Sequence, residues 1–138
     1  MPAFASRAAA LAAGLAAKHG VPLSTPAPAK RPDWIEIGGK VAGEAGYSCV
    51  ACHDSGTRAA LQVFEGQGPN LQLAGQRLRY DYYQRWVHWP QRIAPTTIMP
   101  RYTKDREKAL LAAPFDGSAA QQFEAVWHWM GSLEPGRP

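Results

Sequence analysis

Both cysteines of this 138-residue chain lie in one pentapeptide, Cys49-Val50-Ala51-Cys52-His53. Two cysteines cannot build the disulfide framework of a small secreted scaffold. A structural zinc site usually needs four ligands, and the chain has no second cysteine pair to supply them. A thioredoxin-like dithiol belongs in a βαβ unit, and the sequence shows no such pattern. A dithiol or metal site therefore stays a minor alternative.

The spacing of the pentapeptide is the signature for covalent attachment of haem. Each thiol adds to one of the two vinyl groups and forms a thioether. The two intervening residues let both sulfurs reach the same porphyrin edge, and His53 then projects its imidazole toward the iron. The sequence predicts one haem c, attached through Cys49 and Cys52, with His53 as the proximal ligand.

A low-spin electron-transfer haem needs a sixth ligand, which is a methionine or a second histidine. Met99 lies in a loop stiffened by prolines, which fix the approach of the thioether at a low entropic cost. Met1 is terminal, and Met130 lies on the apolar face of the last helix, where core packing is expected. We predict Met99 as the ligand, with His88 or His128 as the alternative.

Helical patterns cover short segments, and no segment shows sustained alternation of apolar and polar residues. The predicted helices of the domain are Trp34 to about Ala45, Tyr80–Trp89, Arg106–Ala113 and a last helix that follows Ser118. Ser118 and Gln121 form a capping-box pattern at the start of that last helix. The predicted fold class is all-α, with three to five short helices.

Residues 1–33 are predicted to be an extension of the folded domain. An Ala/Leu run over residues 8–17 favours helix, and residues 21–33 contain four prolines and read as an extended linker. We expect this part to be a remnant of a longer protein rather than a leader, and the compact domain to cover residues 34–138.

The net charge of +4 is unevenly distributed. Residues 1–33 carry +3 and residues 77–108 carry +5, while the other two parts are acidic. No aromatic-basic motif accompanies the charge, so a nucleic-acid partner is not expected. No apolar run approaches the roughly 20 residues of a membrane span. Because residues 77–108 include Met99, we expect this basic stretch to border the haem edge and to steer a redox partner with an acidic docking surface.

The order of motifs resembles a known family. The pentapeptide is followed by Gly68-Pro69-Asn70-Leu71, a helix with Tyr83 and Trp86, Pro90, the segment Pro95-Thr96-Thr97-Ile98-Met99-Pro100 and an amphipathic last helix. Over about residues 34–138 the chain resembles class I monohaem c-type cytochromes. The resemblance implies a cytochrome c fold, with short helices wrapped around one covalently attached haem.

The resemblance also implies roles for individual residues. The backbone carbonyl of Pro69 is expected to accept a hydrogen bond from His53, which orients the ligand. Trp86 occupies a position near the haem propionates, with a plain core aromatic as the equal alternative, and Arg77 or Arg79 offers a further propionate partner. The first and last helices are expected to cross. Phe123 and Trp127 would lie on one side of that crossing, with Gly39 or Gly43 on the other.

A haem ligated by His53 and Met99 has no open position, which favours one-electron transfer over oxygen chemistry. We expect a non-enzymatic electron carrier, either a soluble protein or the haem module of a larger redox complex, to which it is fused or bound. Catalysis or ligand sensing after displacement of Met99 is the alternative. Because thioether attachment takes place outside the cytoplasm, the expected location is periplasmic or otherwise extracytoplasmic.

Overall fold

Short helices joined by hydrogen-bonded turns form the part of the chain that can be described. The structure is a computed structural model, and it describes residues 7–20, 26–63, 65–105 and 107–134. The α-helices are α1 (Ala8–Lys18), α2 (Ile35–Ala42), α3 (Cys49–Cys52), α4 (Ala74–Arg77), α5 (Tyr80–His88) and α6 (Ala119–Met130). Within these residues β-pairing is limited to isolated bridges, so the prediction of an all-α class is confirmed.

Helices α2 and α6 cross in direct backbone contact. A Cβ atom on Gly38 would lie 2.0 Å from the carbonyl oxygen of Ala125 and 2.9 Å from Cβ of Trp129. The expectation of a glycine contact holds for Gly39, where a Cβ would lie 3.1 Å from the Trp129 ring. It is wrong for Gly43, whose Cβ would meet only carbonyls of α2. The closest approach is therefore one residue earlier than expected, at Gly38.

The expected partners of the crossing on α6 lie on another face of that helix. The Phe123 ring is buried 5.6 Å from the ring of Tyr47, and the Trp127 ring lies 5.0 Å from that of Tyr83 on α5. Since α6 presents Ala125 and Trp129 to α2, Phe123 and Trp127 pack instead against the rings of Tyr47 and Tyr83. Met130 is 2% exposed, in agreement with the predicted packing role.

The helix predicted for Arg106–Ala113 is absent from the described part of that segment, residues 107–113, and Arg106 itself lies outside the described residues. Backbone pairing outside the segment explains the difference. The N–H groups of Ala109 and Leu110 donate to the carbonyls of Gly117 and Tyr102, both at 2.9 Å. Donors that are already engaged in this way cannot make the i→i−4 hydrogen bonds of a helix.

The last helix begins after Ser118, as predicted, but without the capping box. The Ser118 side chain makes no capping hydrogen bond. Instead, the N–H group of Ala119 donates to the backbone carbonyl of Glu107 at 2.9 Å. A tertiary backbone contact thus satisfies one of the N–H groups that a helix start leaves unpaired.

Every residue of α1 except Ala16 is exposed, and none is buried. Residues 1–6 and 21–25, which belong to the predicted extension, lie outside the described residues. Burial begins at Trp34, whose ring packs 4.6 Å from that of Phe115. The boundary between extension and domain stays a prediction. Among the helices described, none combines the length and the apolar character needed to cross a membrane.

The crossing of α2 and α6 predicts that Gly38→Ala destabilises the fold. The new methyl group collides with the Ala125 carbonyl, and overpacking of this kind typically costs about 1–3 kcal/mol. Urea unfolding of the full chain measures the loss. Gly75→Ala is the matched control, because a Cβ there meets nothing within 4 Å. Equal unfolding midpoints for the two variants would contradict the crossing.

Candidate haem-binding site

The two cysteines begin and end the single turn α3. A short segment joins α2 to this turn. The N–H of Tyr47 donates to the Val41 carbonyl of α2 at 2.7 Å and holds the segment against the end of the helix. Ser48 then adopts a left-handed conformation, with φ at 56°. Residues three positions apart lie on one side of a helical turn. Cys49 and Cys52 therefore present their thiols on the same side, as attachment to one porphyrin edge requires.

Cys49 lies against the core beside aromatic residues. Burial raises the pKa of its thiol to about 12. Burial also raises the pKa of the Tyr102 phenol above its usual range, with the neighbouring Cys49 as the next cause. The Tyr102 ring packs 4.7 Å from the ring of Tyr47. One of the two thiols thus belongs to a residue that is half-buried against the core cluster.

The imidazole of His53 is fixed from two directions. Its Nδ1 lies 2.7 Å from the backbone carbonyl of Pro69, the contact that the family resemblance implies. A carbonyl oxygen only accepts, so Nδ1 carries a proton, and the neutral ring in this tautomer has its lone pair on Nε2. A Cβ on Gly68 would lie 2.2–2.7 Å from three atoms of the imidazole ring. Only a glycine at position 68 therefore leaves room for the His53 ring in this position.

Two polar side chains that the sequence did not single out hold the loop after His53. Asp54 Oδ1 accepts hydrogen bonds from the Ala60 N–H and the Gln67 amide, both at 2.8 Å. The Asn70 side chain bonds both the N–H and the carbonyl of Gly56, at 3.0 and 2.8 Å. The sequence signal that could have identified Asn70 was its position directly after Pro69 in the Gly68–Leu71 motif.

Met99 is held at three points by side chains. Its backbone N–H donates to Oγ1 of Thr97 at 3.3 Å, and its carbonyl accepts from the Gln91 amide at 2.6 Å. The indole Nε1 of Trp86 lies 3.0 Å from its sulfur. Trp86 also packs against the core cluster, and its predicted role as a propionate partner or a core aromatic stays a prediction. Gln91 belongs to no motif, and Thr97 lies in the Pro95–Pro100 segment but was given no role from the sequence.

The two histidines considered as alternative ligands are packed within the helical framework. The ring of His88 lies 4.9 Å from that of Phe123, and its Nδ1 is buried without a hydrogen-bond partner. Nε2 of His128 lies 3.6 Å from a carboxylate oxygen of Glu124, and its ring contacts Trp34 edge-on. Met99 packs against the same core cluster as Cys49 and Trp86, which makes it the better-placed candidate.

The residues present fit a covalently attached haem. The fold supplies two thiols on one side of a helical turn and an imidazole whose Nε2 is left for a metal. The thioether of Met99 retains a second lone pair beside the one that faces the indole. Imidazole and thioether are the ligand pair of electron-transfer cytochromes. In the described ranges no cluster of three or more His, Cys, Asp or Glu side chains could hold a bare metal ion.

Comparison with models of known families, with curated proteins and with solved structures found no match to this chain.

The buried ring of His88 predicts a pH-dependent stability. Burial lowers the pKa of His88 below 6.5, so the unfolded chain binds this proton at a higher pH than the folded one. Stability from this group is fully present above about pH 6.5 and falls as the pH drops toward the folded-state pKa, by at most about 1.4 kcal/mol per pH unit.

We therefore expect the unfolding free energy of His88→Gln to fall less steeply than that of the wild type below pH 6.5. Urea titrations over a pH series measure the slope. His19→Gln, at an exposed position of the extension, should keep the wild-type slope. If the unfolding free energies of His88→Gln and the wild type fell equally steeply below pH 6.5, the pH dependence would not come from His88.

Proposed function

We propose that this chain carries out one-electron transfer through a single haem c, attached at Cys49 and Cys52 and ligated by His53 and Met99, within a cytochrome c fold. The observation that carries the proposal is the 2.7 Å contact between His53 Nδ1 and the Pro69 carbonyl. This contact occupies Nδ1 and leaves Nε2 as the ring nitrogen that can bind a metal, at the residue that directly follows the attachment cysteines.

The residues of the chain divide the work between them. When bound, the haem supplies the one-electron couple. Pro69 orients His53 and strengthens it as a ligand, since a hydrogen bond at Nδ1 raises the basicity of the ring. Thr97 and Gln91 hold the backbone of Met99. Its sulfur therefore needs to move little when the iron changes oxidation state. The buried cluster beside Cys49 and Met99 keeps water away.

The three hydrogen bonds that hold Met99 also bear on the choice between electron transfer and chemistry at an open iron. Catalysis or sensing requires an open position on the iron, which means that Met99 must leave. Three hydrogen bonds oppose its departure, at the sulfur, the N–H and the carbonyl. The arrangement therefore supports a closed electron carrier, either soluble or part of a larger redox complex, over a ligand-binding enzyme or sensor. Its location is proposed to be extracytoplasmic, where thioether attachment occurs.

The basic stretch of residues 77–108 is the proposed docking surface for an acidic redox partner. Among the described residues of this stretch, the exposed cations are Arg77, Arg79, Arg85, Arg92, Lys104 and Lys108. Arg101 has a structural role instead, because its guanidinium lies 4.3 Å above the Trp89 ring and donates to the Lys104 carbonyl at 2.6 Å. Lys104 and Arg92 are therefore better positions than Arg101 for testing charge alone.

Expression in a host competent for haem maturation tests the function. The purified chain should gain the mass of one covalent haem, and its ferric spectrum should show the weak far-red band of iron–thioether ligation. Met99→Ala should keep the mass and lose the band. Met130→Leu, which alters a buried methionine of the core, should keep both. A mass equal to the bare polypeptide would overturn the proposal.

Reversal of charge tests the docking surface. The double variant Arg92→Glu/Lys104→Glu should slow electron transfer to an acidic partner protein at low salt, because steering by complementary charge raises association rates about tenfold or more. The effect should fade as salt screens it. Lys18→Glu/Lys30→Glu, with the same change in net charge but in the extension, should leave the rate unchanged. Equal slowing in both variants would contradict a local surface.

A further inference from the structure

Trp86 makes a contact that an ordinary core aromatic does not make. It lies half-buried on α5, with its indole Nε1 3.0 Å from the sulfur of Met99. Its ring stacks on Tyr82, with centroids 6.2 Å apart and planes 21° from parallel. An indole has one N–H donor and no acceptor. The orientation of this ring therefore decides where its only hydrogen bond goes.

The sulfur of Met99 has little freedom to leave that donor. Gln91 and Thr97 fix the backbone on both sides of the residue, at 2.6 and 3.3 Å. A thioether sulfur is a weak acceptor with two lone pairs. When the indole occupies one of them, the other is the lone pair available to a metal. Trp86 thus selects which face of the sulfur is offered.

We propose that Trp86 is a positioning residue for the axial sulfur, whose N–H both selects the coordinating lone pair of Met99 and raises the reduction potential. This inference rests on the proposed function, because it assumes that Met99 is an iron ligand. It gives Trp86 a role different from contact with a haem propionate, since one N–H cannot serve both partners fully.

The direction of the effect follows from the charge on the sulfur. A sulfur bound to ferric iron gives up more electron density than one bound to ferrous iron, so it is the poorer hydrogen-bond acceptor. The Trp86 N–H consequently stabilises the reduced form more than the oxidised form. Removal of this donor should shift the equilibrium toward the oxidised protein.

The test replaces the indole by a ring without a donor. In Trp86→Phe, equilibration of the haem-loaded protein with a reference couple should favour the oxidised form by about threefold to tenfold relative to the wild type, and the far-red band should move or weaken. Trp89→Phe is the matched control. Trp89 also lies beside this loop and is 44% exposed under Arg101, and its replacement should leave both readings unchanged.

Hydrogen exchange in the wild type tests the same bond without a variant that could fail to fold. The indole N–H of Trp86 should exchange with solvent far more slowly than that of Trp89, and more slowly in the ferrous protein than in the ferric one. Equal exchange of the two indoles would overturn the inference, as would an unchanged redox equilibrium in Trp86→Phe.

Failure of the proposed function is distinguishable from failure of this inference. A wild-type chain without covalent haem, or without the far-red band, removes the His53–Met99 ligand pair and the inference with it. A wild-type chain with both, combined with a silent Trp86→Phe, leaves electron transfer in place and removes only the role of Trp86.

Discussion

The close approach of α2 and α6 at Gly38 is the constraint on which the rest of the fold depends. It fixes the end of α2, from which the chain passes through Tyr47 into the cysteine turn. The same α6 secures Tyr47 a second time, because the tyrosine hydroxyl donates to the side chain of Gln122. The Gln122 amide in turn donates to the carbonyls of Leu111 and Pro114, at 3.0 and 2.8 Å. One helix therefore anchors both the entrance to the candidate site and the irregular segment before α6.

The two proposed ligands are held by different means. His53 is placed by backbone, namely the Pro69 carbonyl and the absence of a side chain at Gly68. Met99 is placed by the side chains of three other residues, on α5 and in the loop that follows. Backbone support depends mainly on the course of the chain, whereas side-chain support can be altered by single substitutions. Under the proposed function, the methionine side of the site is thus where single substitutions would adjust the reduction potential most readily.

The sequence predicted the parts of the site that follow from covalent chemistry and local pattern. The Cys49–His53 spacing and the helices α2, α5 and α6 could be foreseen, because each depends on neighbouring residues. The Pro69 contact, 16 residues from His53 along the chain, followed only from the family resemblance. The crossing at Gly38 could not be foreseen, since its register depends on the facing residues of α6. The helix predicted over residues 106–113 is absent from the described part of that segment, because Ala109 and Leu110 pair with backbone elsewhere in the chain. The partner of the Trp86 indole depends on a loop ten residues or more away along the chain, whose course no local pattern specifies.

The partial burial of Cys49 bears on the order in which such a protein would be assembled. The residue packs against the buried cluster that contains Tyr47 and Phe123, and that cluster is complete only when α2 and α6 come together from opposite ends of the domain. A group covered on one side in this way is less accessible to a large planar reactant than the same group in an unfolded chain. Under the proposed function, bond formation at this sulfur is therefore easier before the two helices close, and the native arrangement would condense around a prosthetic group already in place.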